Sequence, residues 1–420
     1  MGSMGGLKTM EKIIDLVKKH NDWRGNCINL IASENTMSPI CNKLYTSDLM
    51  HRYAEGLPFK RYYKGLKYVD EIESLTEEEF KKHFNINFAD IRPTSGTLAN
   101  YAVFSSLAKP GEKVMTLGLD GGSHISHEKG GAIGILKYDI EHVSYNPENL
   151  EIDVEKTGEK ILNLQPKFIV LGGSVLLFPQ PLKEIKEYCD QVGTKMVYDA
   201  AHVFGLITAG RFQNPFLEGA DIITSSTHKT FPGPQGGIIL ANLEDEKLKT
   251  KIQNRVFPGF VSNHHLHRVP CLYVALKEMQ AFGEEYTDQI IKNAKALAKK
   301  FDELGFEVIG KSKGYTESHQ VLLRVSAQGG GKVVADMLED QNIILNKNII
   351  PHDNTDDPDN PNGIRIGVQE MTRYGMKEKD MEKIAEFIAD ITMNGKNVKE
   401  KVIEFRNNFK EVNYKFDHNF

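Results

Sequence analysis

The stretch TSSTHKTFPGPQGG, residues 224–237, holds a lysine, Lys229, whose setting suits an amine that does chemistry. The apolar pair Ile222-Ile223 reads as part of a strand, small hydroxylated residues follow it, and His228 precedes the lysine. A turn rich in Gly and Pro comes next, and Ile238-Ile239-Leu240 resumes a strand. A loop lysine is ordinarily a solubilising charge. At the mouth of an apolar strand, walled by hydroxyls and an imidazole, the same amine is placed to act as a nucleophile.

A second strand end carries the complementary charge. KMVYDAAHVFG puts Asp199 where an apolar run stops, with His202 three residues on. Asp199 reads as an N-cap or metal ligand when taken alone. Paired with a lysine on the next strand it suits pyridoxal phosphate (PLP): the amine forms a Schiff base with the aldehyde, and the carboxylate keeps the pyridine nitrogen protonated. A phosphate needs a cradle, and RPTSGTLANYAVFSSLA (92–108) supplies a turn with Ser95, Gly96 and Thr97 that opens directly into a helix. Free N–H groups and the positive end of the helix dipole would hold an anion there. The competing reading of Ser95 and Thr97 is an ordinary helix cap.

Other candidates lie in LIASEN (30–35), YAEGLPFKRYY (53–63) and GGSHISH (121–127). His124 could stack on an aromatic cofactor, whereas His127 reads as a packing or capping residue. Glu55, in a Tyr/Gly loop, is a candidate proton carrier if burial raises its pKa. GIRIG (363–367) sets Arg365 inside a short apolar strand, where it would clamp a carboxylate or form a structural ion pair. SNHHLH (262–267) brings His264, His265 and His267 together without regular ligand spacing and with no carboxylate or thiol nearby in sequence, so no metal is expected and a loop or interface role is preferred.

These residues require a scaffold of strand ends. KVMTLG, KFIVLGG, KMVYDAAH and DIITSS read as buried strands. IESLTEEEFKKHF, ANYAVFSSLA and KEIKEYCDQVG read as helices between or ahead of them. That alternation implies an α/β fold with a mostly parallel sheet, whose ligands sit at the carboxyl ends of the strands. MEKIIDLVKKHND (10–22) reads as an amphipathic helix, 26–70 as irregular, and 272–305 as a long helix leading into a C-terminal part. That part holds the strands FEVI and QVLLRV and a helix near MEKIAEFIADI. The start, MGSMGGLKTM, reads as a flexible tail or a remnant of cloning, and DNTDDPDNPNG (353–363) as a solvated loop.

Bulk properties exclude several classes. The chain has 420 residues, 40% of them hydrophobic and 26% charged, which allows two domains. A net charge of −5 gives no broad basic footprint for nucleic acid, and no apolar run has the length of a membrane span. Cys27, Cys41, Cys189 and Cys271 show no CxxC spacing, so neither a disulfide framework nor a zinc site is indicated, and a cytoplasmic location is expected.

LIASENTMSP, YAEGLPFKRYYKG, PTSGTLANYAVF, YDAAHVFGL, STHKTFPGPQGG and GIRIG, in this order, resemble the serine hydroxymethyltransferase family, most closely its archaeal branch. The resemblance implies the aspartate-aminotransferase-like fold type I of PLP enzymes. That fold has a large domain with a mixed, mostly parallel, seven-stranded sheet, and a smaller C-terminal α/β domain. The corresponding expectation is an N-terminal arm over 1–60, a large PLP-binding domain over 61–275 and a small domain over 276–420. It implies Lys229 as the Schiff-base lysine, Asp199 at the pyridine nitrogen, His124 on the ring and His202 at the phenolic oxygen. Ser95, Gly96, Thr97 and His228 fall on phosphate-side positions, with Ser174 near the cofactor. Arg365 and Ser33 would grip the substrate carboxylate, helped by Tyr63 from the neighbouring subunit and by Tyr62; Tyr53 and Glu55 would likewise arrive across the interface of a homodimer.

The implied reaction moves the hydroxymethyl carbon of serine to a tetrahydropterin, leaving glycine and a methylene carrier. The alternative is a pterin-independent aldolase acting on threonine or allo-threonine. Gln235 stands where bacterial and eukaryotic members have arginine, and Ser262-Asn263 where they carry two glycines in the phosphate-binding loop from the partner chain. Both departures bear on the carrier, tetrahydromethanopterin or tetrahydrofolate, which Asn348 at a pterin-contacting position does not distinguish.

Overall fold

A computed structural model describes residues 2–353 and 359–417. The central sheet is built from β1 (Phe88–Asp90), β2 (Lys113–Thr116), β3 (Asp139–His142), β4 (Phe168–Gly172), β5 (Lys195–Asp199), β6 (Ile222–Ser226) and β7 (Gly237–Ala241). Its seven strands run in the order β1-β7-β6-β5-β4-β2-β3. β7 is antiparallel to both neighbours, and the other pairings are parallel. β4, β6 and β7 are buried at every position because helices cover both faces, which explains their unbroken apolar and small-residue runs.

Register then decides what the strand ends share. Asp199 pairs with Gly172 on one side and Thr224 on the other, so β4, β5 and β6 finish side by side. The turns that follow deliver Ser174, His202 and Lys229 to one edge. Gly172 is required for this: its φ is +82°, and a Cβ there would lie 2.1 Å from the Asp199 carbonyl oxygen.

A second, antiparallel sheet has four strands, β8 (Glu307–Val308), β9 (Gln320–Arg324), β10 (Asn346–Asn348) and β11 (Gly363–Gly367), in the order β8-β9-β11-β10. Arg365 on β11 pairs with Leu322 and Asn346. Helix α5 joins the two sheets. In chain order the principal helices are α1 (Gly2–Gly25), α2 (Lys67–Phe84), α3 (Gly96–Leu107), α4 (Leu182–Val192), α5 (Arg268–Glu303) and α6 (Glu378–Thr392).

Several expectations shift. The long helix begins at Arg268 rather than residue 272. The irregular segment contains a short helix at Pro39–Tyr45 and a two-stranded hairpin, Gly56–Leu57 with Lys60–Arg61. Helix α1 runs from Gly2, so the stretch expected to be a flexible tail or a remnant of cloning is helical. Met10, Ile13, Ile14, Leu16 and Val17 on that helix stay at least half exposed, so its apolar face is uncovered in the single chain. Residues 354–358 of the acidic loop lie outside the described residues. Among the described residues no helix is long and apolar enough to cross a membrane.

Candidate active site

Lys229 sits in the turn after β6, half-buried at the strand edge, with its backbone carbonyl held by the Asn35 amide at 2.7 Å. Its amine has no hydrogen bond or ion pair among the described residues. Burial pushes the Lys229 pKa down to about 8; the Arg365 charge adds to that and Asp199 opposes it. A lysine in that range keeps a substantial neutral, nucleophilic fraction near pH 7.

Asp199 faces the same space and is 4% exposed. Oδ2 accepts from the Asn100 amide at 2.9 Å and lies 3.0 Å from His127 Nε2, while Oδ1 accepts from Ala201 N at 3.0 Å. Burial works against its ionised form, but the His127 hydrogen bond and charge, with His124 and Asn100, outweigh that and hold the carboxyl well below the usual range. Asn100 is oriented in turn by Thr224, whose hydroxyl donates to its Oδ1 at 2.6 Å. His127, expected only to pack or cap, is fully buried and instead supports Asp199 directly. It closes the 3-10 turn Ile125–His127. His124 caps that turn through Ser126 N at 3.1 Å, and burial pushes it down to about 4, so its ring is neutral.

The second sheet closes the cleft. Arg365 is 8% exposed and donates to Ser174 O at 2.9 Å and to Asn346 Oδ1 at 3.4 and 3.3 Å. No carboxylate pairs with it among the described residues, so the structural ion pair weighed from sequence is not seen. Burial lowers its pKa to about 10, still cationic at neutral pH. Two residues that sequence reasoning passed over also reach the cleft. Gln320 bonds Ser174 O at 2.8 Å and His202 Nδ1 at 3.0 Å, and the His319 ring stacks on His202 at 5.7 Å. Their adjacency to His202 depends on β9 packing against the first sheet's edge, which no local pattern announces.

At the other end of the cleft, Ser95 caps α3 by accepting from Leu98 N at 3.1 Å, so the capping reading holds for its oxygen while its hydroxyl hydrogen remains a donor. Gly96 packs so closely that a Cβ would lie 3.2 Å from Ser226 N. Thr97 follows on the first turn of α3. His228 Nδ1 is buried with no hydrogen-bond partner, and burial with the Lys229 charge pushes the ring down to about 4. An unpartnered amine, a buried guanidinium with no carboxylate counter-ion among the described residues, an orphaned imidazole nitrogen and a glycine-lined helix start together fit PLP with an amino acid beside it.

The remaining expected residues form a separate group. Tyr53 OH lies 2.6 Å from Ser262 Oγ, Ser262 donates to Glu55 at 2.7 Å, and Asn263 Oδ1 accepts from Ala54 N at 3.2 Å. Tyr53, Tyr62 and Tyr63 are exposed, at 43%, 78% and 45%. None of this group hydrogen-bonds to Lys229, Asp199 or Arg365 within the chain. His264 departs from expectation: Glu73 of α2, far away in sequence, meets its Nε2 at 2.9 Å. No group of three or more metal-ligating side chains occurs among the described residues. Ser33 lines a cavity of about 530 Å³ with Asn35, His228 and Gln235, and Asn348 is half-buried at the end of β10.

A two-sheet α/β fold with Lys229 and Asp199 on adjacent strand ends defines a PLP-dependent enzyme of fold type I. The family model for serine hydroxymethyltransferase matches residues 7–388. A serine hydroxymethyltransferase of Metallosphaera sedula is 52% identical over 413 residues, covering 97% of this chain and 95% of that protein. Those of Saccharolobus islandicus and Staphylothermus marinus are each 50% identical, covering 98% and 97% of this chain and 95% and 93% of theirs. The chain belongs to the serine hydroxymethyltransferase family, PLP enzymes that interconvert serine and glycine with a pterin carrier. That membership favours transfer to a pterin over carrier-free aldol cleavage.

Proposed function

We propose that this cleft carries out hydroxymethyl transfer between serine and a tetrahydropterin as one half of a shared active site in a cytoplasmic homodimer. The observation that carries the reading is the free Lys229 amine facing Asp199 in a cleft where the buried Arg365 has no counter-ion. Arg365 binds the substrate carboxylate through two N–H groups, with Ser33 beside it and Tyr63 reaching in from the neighbouring subunit, and this orients the bond to be broken. Asp199, kept ionised by His127 and Asn100, holds a proton at the cofactor's ring nitrogen. His124 covers one ring face, and His202 donates to the phenolic oxygen. Ser95, Gly96, Thr97 and His228 bind the phosphate, with Ser262 and Asn263 from the neighbouring subunit. Bound PLP supplies the electron sink for cleavage at the amino acid's Cα.

Glu55, with Tyr53 and Tyr62, acts in the neighbouring subunit's cleft, where Glu55 moves a proton at the hydroxymethyl oxygen. The uncovered apolar face of α1 and the exposed tyrosines support that assembly. Residues 1–60 serve as the embracing arm, 61–275 as the large domain and 276–420 as the small domain. A cavity of about 530 Å³ lined by Leu119, Gly122, Val175, Phe178 and Ile349 lies next to Ser174 and suits a flat heterocycle, with Asn348 on the neighbouring strand. Serine turnover measured with tetrahydromethanopterin and with tetrahydrofolate tests the reading. Carrier-dependent glycine formation is expected; equal turnover with no carrier would make the protein an aldolase.

A further inference from the structure

We propose that Gln320 is a positioning residue that fixes the tautomer of His202, so that this imidazole presents Nε2–H to the cleft. Gln320 lies on β9 and is fully buried. Its Oε1 accepts from Leu176 N at 2.8 Å and its Nε2 donates to Ser174 O at 2.8 Å. A backbone N–H only donates and a backbone carbonyl only accepts, so these two partners determine which end of the amide is nitrogen. The second hydrogen of Nε2 then meets His202 Nδ1 at 3.0 Å. An amide nitrogen cannot accept, so Nδ1 must, and a neutral imidazole with unprotonated Nδ1 carries its proton on Nε2.

The surroundings keep the ring neutral. His202 is 2% exposed, and the groups facing it are Lys229, Arg365, His319 and His124, all cationic when charged. Burial and these neighbours hold it well below the usual histidine range. His319 stacks on it at 5.7 Å with planes 19° apart, which fixes the ring's tilt. Nε2 has no hydrogen bond among the described residues and is free to donate. The carbonyl of Ser174 accepts from both Gln320 and Arg365, so one amide of the C-terminal sheet ties the ring-oxygen donor to the carboxylate clamp.

The inference rests on reading this cleft as the cofactor site, but its first test needs no cofactor. In apo-protein with isotope-labelled histidine, NMR distinguishes protonated from unprotonated ring nitrogens, and His202→Gln assigns the signal. Wild type is expected to show His202 Nδ1 unprotonated, and Gln320→Glu, which replaces a donor by an acceptor, to protonate Nδ1. A protonated Nδ1 in wild type, or an unchanged state in folded Gln320→Glu, overturns the proposal. If Gln320→Glu does not fold, Gln320→Met keeps the test: the lost hydrogen bond should weaken PLP binding about three- to tenfold and lower kcat more than it changes KM. Binding within twofold of wild type would overturn it. A wild type that binds no PLP would sink the cofactor reading while leaving the tautomer measurement standing.

Discussion

Arg365→Met removes a buried guanidinium that is held by one backbone carbonyl and one amide oxygen but by no carboxylate among the described residues. If the substrate carboxylate is its partner, two charge-assisted hydrogen bonds disappear from the complex. Each is worth about 1.5–3 kcal/mol, and truncating one side of such a buried pair costs about 2–5 kcal/mol. At 1.4 kcal/mol per decade, a loss of about 3–5 kcal/mol lowers kcat/KM for serine roughly 10²- to 10⁴-fold. Fold stability responds differently. Ser174 O keeps its bond from Gln320, and Asn346, whose Oδ1 loses its donor, is only half-buried and can be hydrated, so the apo-protein should change by less than about 1 kcal/mol. Serine kinetics and the urea midpoint of the apo-protein, measured on the same preparations, separate the two roles. A structural ion pair would give the opposite pattern, a loss of about 3–5 kcal/mol in stability with little change in serine kinetics. That pattern would refute the assignment.

Sharing of the cleft across subunits is tested by mixing two dead variants, Lys229→Ala and Glu55→Gln. After subunit exchange, half the dimers are mixed and each has one intact site, so roughly a quarter of wild-type activity should return; no recovery would mean that both residues serve the same chain's cleft. Capture of PLP by apo-protein should speed up as pH rises and level off above about 8, because Lys229 is unreactive when protonated and burial places its pKa there. Stopped-flow absorbance reads the rate; a rate still climbing steeply at pH 10 would show an undepressed amine.

How much of this was legible in the sequence follows from range. Lys229, Asp199 and Arg365 stand out because each interrupts an apolar run, and a charge at a strand end needs a reason that local patterning supplies. Ser95 and Gly96 are likewise local, since the turn and the helix start adjoin in sequence. The support that His127 gives Asp199 is not legible locally, because the two lie 72 residues apart and a short 3-10 turn carries no periodicity to aim a ring. Gln320 and His319 gave no signal: QVLLRV reads as a buried strand, and only the packing of one sheet against another's edge turns its first residue into a ligand of His202. The same limit applies to His264, whose carboxylate partner Glu73 comes from a distant helix. The glycines of the start suggest a flexible tail or a remnant of cloning, whereas the backbone there is helical from Gly2.

The most direct test of the central claim is borohydride reduction of the PLP-loaded protein followed by peptide mapping. The expected result is one pyridoxyl group on the peptide carrying Lys229, absent from Lys229→Ala. A label on another lysine, or none on 229, would contradict the assignment of this cleft.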